Sequence, residues 1–215
     1  MTSEQENTTA SLAPNPELSG SFTTAFARRK RWKLDARLLE AIKAVLPRGC
    51  SVIDLGAGVG RTVQALRDAG WPHTDGVDGI PGISALSMGL VAELDLTGRY
   101  VWYRAYADAP DAKQEEIGWR PDAAICIEVG EHIPEDKQEW FLNNLADSAR
   151  SYLIVSYALP GQRGRDHVQC RSPEWVANQL GIRGWSLSED ITILARSIAG
   201  KGWDKKLLVF GRNDE

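Results

Sequence analysis

The chain has 215 residues, of which 43% are hydrophobic and 25% charged, and its formal net charge at pH 7 is −4. This balance is typical of a soluble globular protein with one substantial core, and it excludes a general basic field that would attract nucleic acid. Three cysteines without metal-like spacing, no apolar run of membrane-spanning length and a polar N-terminus predict a cytoplasmic protein with reduced thiols and no membrane partner.

The first 46 residues carry no strand pattern. Residues 1–20 are rich in Ser, Thr, Glu, Asn and Pro, which predicts a disordered tail ahead of a single domain over 21–215. Residues 21–46 are expected to form a lid and a helix, because Trp32–Leu46 repeats apolar residues with helical period. The basic run Arg28–Arg31 is interpreted as a solvated helix face or, alternatively, as a contact for an anionic substrate.

Predicted strands and helices alternate from residue 51 to the end of the chain. The strands are Ser51–Leu55, Thr74–Asp78, Leu90–Leu94, Asp122–Glu128, Ser151–Ser156, Trp185–Glu189 and Lys206–Gly211. The helices are Arg61–Ala69, Pro81–Ser87, Glu135–Ser148 and Ser172–Leu180, the last capped by Ser172. This alternation predicts an α/β protein with a mostly parallel sheet and right-handed crossovers.

The most informative motif about function is V-I-D-L-G-A-G-V-G at residues 52–60. A buried strand ends in an acid and a glycine-rich turn, and a helix follows at Arg61. Glycines let the turn approach a ligand closely, and the helix N-terminus presents unpaired N–H groups. The spacing G-x-G-x-G differs from the G-x-G-x-x-G of dinucleotide enzymes. The candidate binding residues are Asp54, Gly56, Ala57, Gly58 and Gly60.

Two further segments follow predicted strands. Asp78 closes the second strand and is followed by Gly79, and an acid there can accept two hydrogen bonds from a ribose diol. Asp75 is the competing acid, but it stands earlier in the strand. The second segment is E-V-G-E-H-I-P at 128–134, directly after a buried strand. Since parallel strands place their carboxyl ends at one edge, these side chains are expected there together.

From Ser51 to Pro134 the chain resembles the class I S-adenosylmethionine (SAM) methyltransferases, in particular a subset with an E-x-x-E-H segment. The resemblance implies a three-layer α/β sandwich with a seven-stranded, mostly parallel, Rossmann-like sheet whose last strand is antiparallel. It also implies SAM as cofactor, with its ribose bound by Asp78 and its adenine amino group by Asp95, near the backbone of Leu96. An acid after a strand is also a common turn former, so Asp95 keeps that alternative.

In this family the segment that begins at Glu128 lines the SAM pocket and faces the methyl acceptor. Gly130 stands where a bulkier residue is often found, which predicts extra space beside the pocket. Some small-RNA 2′-O-methyltransferases and ubiquinone-pathway O-methyltransferases carry a similar E-x-x-E-H. In the RNA enzymes, two Glu and a His join a later His to bind a divalent ion. The corresponding candidates for Mg²⁺ or Mn²⁺ are Glu128, Glu131, His132 and His167.

The alternative is that no metal binds and that Glu131 and His132 orient SAM and cap the next helix. His167 would then act alone as the base that deprotonates the acceptor, with His132 as the second candidate base. The residues expected to take part in catalysis are therefore His167, His132 and Glu131.

The sequence predicts a small-molecule acceptor that is methylated on oxygen or nitrogen. No N-P-P-Y-type motif of nucleic-acid N-methyltransferases is present, and Cys126 lies in a buried strand rather than at a nucleophile position. Two alternatives remain open. One is a nucleic-acid or protein methyltransferase, including a metal-assisted RNA 2′-O-methyltransferase. The other is a SAM-binding protein without transferase activity. Nothing in the sequence indicates an oligomeric state.

Overall fold

The structure, a computed structural model, describes residues 34–98 and 120–213. The expected tail over 1–20, the basic run Arg28–Arg31 and the first part of the expected lid therefore lie outside the described residues.

The described residues contain seven strands and six α-helices in the predicted alternation. The strands are β1 Val52–Leu55, β2 Thr74–Asp78, β3 Val91–Glu93, β4 Ala123–Ile127, β5 Tyr152–Ser156, β6 Trp185–Leu187 and β7 Leu208–Arg212. The helices are α1 Ala36–Val45, α2 Arg61–Asp68, α3 Ile83–Leu86, α4 Gln138–Asp147, α5 Pro173–Gly181 and α6 Glu189–Ala199. Two 3₁₀ turns, Gly130–His132 and Glu135–Lys137, connect β4 to α4.

The strands form one sheet in the order β3-β2-β1-β4-β5-β7-β6. All pairs from β3 to β5 are parallel, whereas β7 runs antiparallel to both β5 and β6. The predicted sheet, with its antiparallel last strand, is confirmed. The register places the carboxyl ends of β1, β2, β4 and β5 at one edge. Because β7 is reversed, its first residues lie at that same edge.

Each face of the sheet is covered by helices. In β4, Ala124 and Cys126 pack into one core cluster with α4 and α5. Their neighbours Ala123 and Ile125 point the other way and pack with α1, α2 and α6. This period of two in a fully buried strand is the geometry of a sheet enclosed on both sides. The three-layer sandwich is thereby confirmed.

Local sequence explains where several helices begin. The Asp35 carboxylate caps α1 by accepting from the N–H groups of Arg37 and Leu38. The predicted Ser172 cap is confirmed, since its hydroxyl accepts from Trp175 N–H. The prediction that β6 continues to Glu189 is wrong: the strand ends at Leu187 and Glu189 begins α6. Acidic residues in a first turn favour a helix because they face the positive end of its dipole.

Within the described ranges, no helix combines the length and apolar character that crossing a membrane requires.

Candidate functional site

The glycine-rich turn after β1 is fastened to the end of β2. The N–H groups of Gly56 and Ala57 donate to Val77 O at 2.8 and 3.1 Å. Gly58 N–H donates to the Asp78 Oδ2 at 2.8 Å, and Ile80 N–H donates to Oδ1 of the same carboxylate at 3.0 Å. Asp78 thus links the turn that was expected to bind the cofactor to the strand end that was expected to bind its ribose.

Two glycines allow this turn to pack closely. Gly56 has a φ of +74°, which L side chains rarely adopt, and a Cβ there would overlap the side chain of Val129. In β2, a Cβ at Gly76 would lie 2.8 Å from the Cβ of Ala57. The Gly56 contact places the turn directly against the segment that follows β4, so the two sequence motifs meet in one site.

Asp54 lies beneath this turn at the end of β1 and is only 6% exposed. Burial, together with the negative charge of Asp78, raises its pKa to about 8. Burial also raises the pKa of Asp78, although the hydrogen bonds from Gly58 and Ile80 act in the opposite direction. Two acids held close together in a poorly solvated place create a site that favours a cationic ligand.

Asp54 lines an open cleft whose empty volume, including the part open to solvent, is about 800 Å³. The start of α1, the first turn of α2 and Trp203 form its walls. The indole N–H of Trp203 donates to Asp35 Oδ2 at 2.8 Å, which holds the segment before β7 against the beginning of α1. The cleft is mainly apolar around Asp54, with further lining residues Leu34, Leu38, Leu39, Ile42, Ile125 and Ile127.

The other two acids considered from the sequence have different surroundings. Asp75 is exposed and forms an ion pair with Arg67 at 2.9 Å. Because side chains alternate along a strand, Asp75 and Asp78 lie on opposite faces of β2. Asp95 Oδ1 accepts from the N–H and hydroxyl of Thr97 at 2.9 and 2.7 Å, so it does form a turn. The following carbonyl, that of Leu96, accepts from the Asn144 side chain at 2.8 Å, which anchors this turn to α4.

Glu128, at the end of β4, has a left-handed backbone with φ of +56°. Its Oε1 accepts from the Ser156 hydroxyl at 2.8 Å, and its Oε2 accepts from Gln162 at 3.2 Å and from Lys206 Nζ. The Lys206 side chain is 9% exposed, and its ammonium lies 4.7 Å from the centre of the Trp203 ring. Glu128 is therefore neutralised by an ion pair, which argues against it as a candidate metal ligand.

Sequence reasoning missed Lys206 and Trp203. Both precede β7, and only its reversed direction brings them to the edge where the parallel strands end. A predicted antiparallel last strand was the available signal, since it implies that the residues before it lie at the candidate site.

The structure brings Glu131, His132 and His167 together. One ligating atom from each lies within 4.8 Å of the others, and the two imidazole centres are 5.0 Å apart. His132 Nδ1 lies 3.1 Å from Asp166 O, and His167 Nδ1 lies 3.3 Å from Gln162 O. The predicted contact between the E-x-x-E-H segment and the later histidine is thus present.

Glu131 is the most unusual member of this cluster because it is 0% exposed. Neither of its carboxylate oxygens has a hydrogen-bond partner among the described residues. Burial, and secondarily the charge of Glu128, raises its pKa to about 7. The backbone N–H groups of Glu131 and Ala158 act in the opposite direction and lower that pKa. Burial also lowers the pKa of His132.

The loop that carries His167 is clamped onto the same 3₁₀ turn. Val168 and Gln169 donate their N–H groups to Glu131 O at 2.8 and 3.0 Å. A Cβ at Gly164 would overlap the His167 ring, so that glycine allows the imidazole to lie against the loop backbone.

The expectation that Gly130 opens space beside the pocket is wrong. A Cβ at this position would overlap the ring of Tyr157, which is buried there. Gln138 fixes the surrounding backbone by donating to the carbonyls of Gly130 and Ile133 at 2.8 and 2.9 Å. The space that a side chain at Gly130 would occupy is filled by the ring of Tyr157, which follows β5.

No family model and no curated protein sequence matches this chain. Solved structures share its fold over most of the chain. The sugar N-methyltransferase KedS8 from Streptoalloteichus sp ATCC 53650 has a TM-score of 0.64 at 14% identity, over 91% of this chain and 94% of that one. Magnesium protoporphyrin IX methyltransferase (ChlM) from Synechocystis PCC 6803, solved with SAM, has a TM-score of 0.55 at 18% identity, over 83% and 77%.

A third similar structure is the [4+2]-cyclase SpnF, with a TM-score of 0.56 at 12% identity over 83% of this chain and 81% of that one. Such identities show a shared fold and no shared reaction, and one fold commonly supports several chemistries. The chain therefore has the Rossmann-like fold found in class I SAM-dependent methyltransferases.

Proposed function

We propose that this protein is a SAM-dependent methyltransferase that acts on an oxygen or nitrogen of a small-molecule acceptor. The observation that carries this proposal is the carboxylate of Asp78, which joins the glycine-rich turn to the end of β2 beside the cleft that contains Asp54. A ribose diol and a cationic amino-acid group are the ligand chemistry that these two acids suit.

SAM supplies both groups. In the proposed complex, its ammonium group lies near Asp54 and its ribose hydroxyls on Asp78, while the adenine follows the turn of Asp95 and Leu96. Gly56, at the start of the glycine-rich turn, lies against Val129. The methyl group of SAM would therefore approach the segment between β4 and α4. Methyl transfer is an in-line displacement, and the protein contributes mainly by alignment and by exclusion of water.

The cluster of Glu131, His132 and His167 supports a role in acceptor deprotonation. A hydroxyl or amine acceptor loses a proton when it takes the methyl group, and an imidazole within hydrogen-bonding reach can accept that proton. We assign this step to His167, whose Nδ1 faces the Gln162 carbonyl, so that Nε2 is the atom that would accept the proton.

A small acceptor is supported by the apolar character of the cleft and by the charge of the chain. The cleft is mainly apolar, with the Asp35–Trp203 contact in its wall, and the net charge of −4 gives no general attraction for nucleic acid. KedS8 acts on a sugar and ChlM on a porphyrin, so the shared fold accommodates small acceptors of very different size.

The ribose assignment is tested with Asp78→Ala and the matched control Asp75→Ala. Loss of the Asp78 carboxylate removes two ribose hydrogen bonds and the anchor of Gly58, so SAM affinity should fall by about 10- to 100-fold or more. Asp75, exposed on the other side of β2, should be replaceable without effect. Isothermal titration calorimetry measures both affinities. Equal affinities of the two variants would contradict the assignment.

Transfer itself is tested by incubating the protein with methyl-labelled SAM and a panel of hydroxyl- and amine-containing small molecules, with RNA included as a comparison. Label in a small molecule supports the proposal. Tight SAM binding without transfer to any acceptor would support the non-catalytic alternative, and label in RNA alone would support the nucleic-acid alternative.

A further inference from the structure

The loop that carries His167 begins with a tight turn at residues 159–162. Gln162 N–H donates to Leu159 O at 2.8 Å, and Pro160 and Gly161 occupy the two central positions. Gly161 has a φ of +81°, which the third residue of a type II turn requires. The Pro-Gly pair therefore fixes where Gln162 lies relative to the end of β5.

Both polar atoms of the Gln162 side chain have partners of matching type. Its Oε1 accepts from Leu159 N–H at 3.3 Å and from Lys206 Nζ at 3.5 Å. Its Nε2 donates to Glu128 Oε2 at 3.2 Å. A backbone N–H and an ammonium require an acceptor, whereas a carboxylate requires a donor, so an amide suits this position. The side chain thereby ties the loop to the ion pair of Glu128 and Lys206.

The backbone carbonyl of Gln162 faces the proposed base. His167 Nδ1 lies 3.3 Å from Gln162 O, and Cys170 Sγ lies 3.7 Å from that oxygen and 3.7 Å from that nitrogen. A carbonyl can only accept, so a hydrogen bond between them requires the proton of the neutral imidazole to be on Nδ1. The lone pair is then on Nε2, the nitrogen to which the proposed function gives the acceptor's proton. A thiol of Cys170 that donated to Nδ1 would instead place the imidazole proton on Nε2.

The loop is held on both sides of His167. After His167, two backbone N–H groups donate to Glu131 O. Before it, residues 163–166 are exposed, and the Gln162 side chain is the anchor to the strand ends. Because a displacement of about 1 Å in a reacting group can cost about 100-fold in rate, an anchor at this point affects how well the imidazole meets an acceptor.

We propose that Gln162 is a positioning residue for His167. Its side chain holds the loop on the Glu128–Lys206 pair, and its carbonyl thereby fixes the tautomer of the imidazole and the direction of Nε2. This role rests on the proposed function, because it serves the deprotonation assigned to His167. Gln162 itself need not contact the acceptor.

The first test determines the tautomer of His167 by ¹⁵N NMR of the imidazole nitrogens at alkaline pH, where the ring is neutral. Gln162→Met keeps the length of the side chain and removes its hydrogen bonds. Gln169→Met is the matched control, since the Gln169 side chain lies in the same loop and forms no hydrogen bond among the described residues. His167→Gln identifies the His167 signals by their absence.

In the unchanged protein and in Gln169→Met, the proton of His167 should be on Nδ1. In Gln162→Met, the two tautomers should be mixed, because the carbonyl is no longer held in place. A proton on Nε2 in the unchanged protein, or an unaltered tautomer in Gln162→Met, would overturn the proposal. Cys170→Ala should keep the proton on Nδ1, and a changed tautomer in this variant would overturn the proposal in favour of the thiol.

The second test measures methyl transfer to an identified acceptor. In Gln162→Met, kcat should fall by about 10- to 100-fold, while KM for SAM should stay within about threefold. In a protein that already carries His167→Ala, the same substitution should lower kcat by less than about threefold, because Gln162 acts through the imidazole. A further loss as large as that in the single variant would overturn the positioning role.

Affinity for S-adenosylhomocysteine, the demethylated product of SAM, is measured on the same variants and should stay within about twofold, which shows that they are folded. The NMR test needs no acceptor, so its result stands whether or not methyl transfer is found. An unaltered tautomer in Gln162→Met overturns the positioning role and leaves the methyltransferase proposal standing. Absence of transfer to every acceptor overturns the proposed function, and the positioning role with it.

Discussion

At the scale of single residues, Asp54 offers a direct test of the proposed cofactor site. Its carboxyl is buried next to Asp78, and its pKa of about 8 keeps it mostly protonated at neutral pH. An ammonium group placed beside it would stabilise the ionised form, so binding should release a proton. We expect S-adenosylhomocysteine affinity to rise between pH 6 and 8. Calorimetry in two buffers of different ionisation enthalpy measures the released proton.

Asp54→Asn should weaken this binding and remove the proton release, whereas Asp75→Asn should change neither. A pH-independent affinity in the unchanged protein would contradict the placement of the ammonium group at Asp54.

The same pKa predicts how stability depends on pH. Between about pH 4 and pH 8 the folded protein holds a proton on Asp54 that the unfolded chain has released, so this residue lowers stability progressively as the pH rises. Asp54→Asn lacks this linkage. Relative to the unchanged protein, its free energy of unfolding should therefore increase from pH 5 to pH 9, by about 2–5 kcal/mol. Urea unfolding at both pH values measures the difference, and a constant difference would argue against a raised pKa.

His167 has a separate prediction that concerns turnover. His167→Ala should reduce the rate of methyl transfer by about 100-fold or more, because the acceptor loses the group that assists its deprotonation. Affinity for S-adenosylhomocysteine should remain within about twofold, since the proposed cofactor contacts lie on other segments. His73→Ala, at an exposed position before β2, is the matched control. Unchanged turnover of His167→Ala with an identified acceptor would remove this residue from the mechanism.

At the scale of secondary-structure elements, the reversed strand β7 contributes an ion pair to the site. Lys206, just before β7, neutralises Glu128 at the end of β4. Removing one member of a buried pair leaves the other charge uncompensated. Because the Glu128 side chain is 24% exposed, the effect is smaller than for a fully buried pair. Lys206→Ala should lower the free energy of unfolding by about 1–3 kcal/mol.

The neighbouring Lys205 is exposed and provides the control, since Lys205→Ala should change stability by less than about 0.5 kcal/mol. In the double variant Lys206→Ala with Glu128→Gln, part of the lost stability should return because no unpaired charge is left. Similar losses for Lys205→Ala and Lys206→Ala in urea unfolding would show that the pair does not stabilise the fold.

At the scale of the whole molecule, the parallel part of the fold could be predicted from the sequence. The apolar runs of β1, β4 and β5 are short, continuous and bounded by turn residues, so they indicate buried strands directly. The contact between His132 and His167 could also be predicted, because each follows one of two adjacent parallel strands. These predictions depend on local pattern and on one general rule about strand ends.

Other features depend on contacts between distant segments and leave no local pattern. The Lys206–Glu128 pair spans 78 positions and requires β7 to enter the sheet in reverse. The ring that fills the space at Gly130 comes from Tyr157, and nothing in E-V-G-E-H-I-P indicates it. The burial of Glu131 similarly arises when the His167 loop folds over it. Sequence alone therefore identified the chemical groups, but not which of them neutralise one another.

The position of β7 between β5 and β6 also sets the order in which a growing chain acquires its site. On the ribosome, β6 emerges before β7, the strand through which it joins the sheet. The glycine-rich turn, Asp78 and the parallel strands are complete while the last segment is still being synthesised. Trp203, whose indole N–H donates to Asp35, is synthesised 168 residues after Asp35. Only then can this contact in the wall of the cleft form. During synthesis, the segments of the proposed cofactor-binding half thus leave the ribosome before the residue that completes the wall of the cleft.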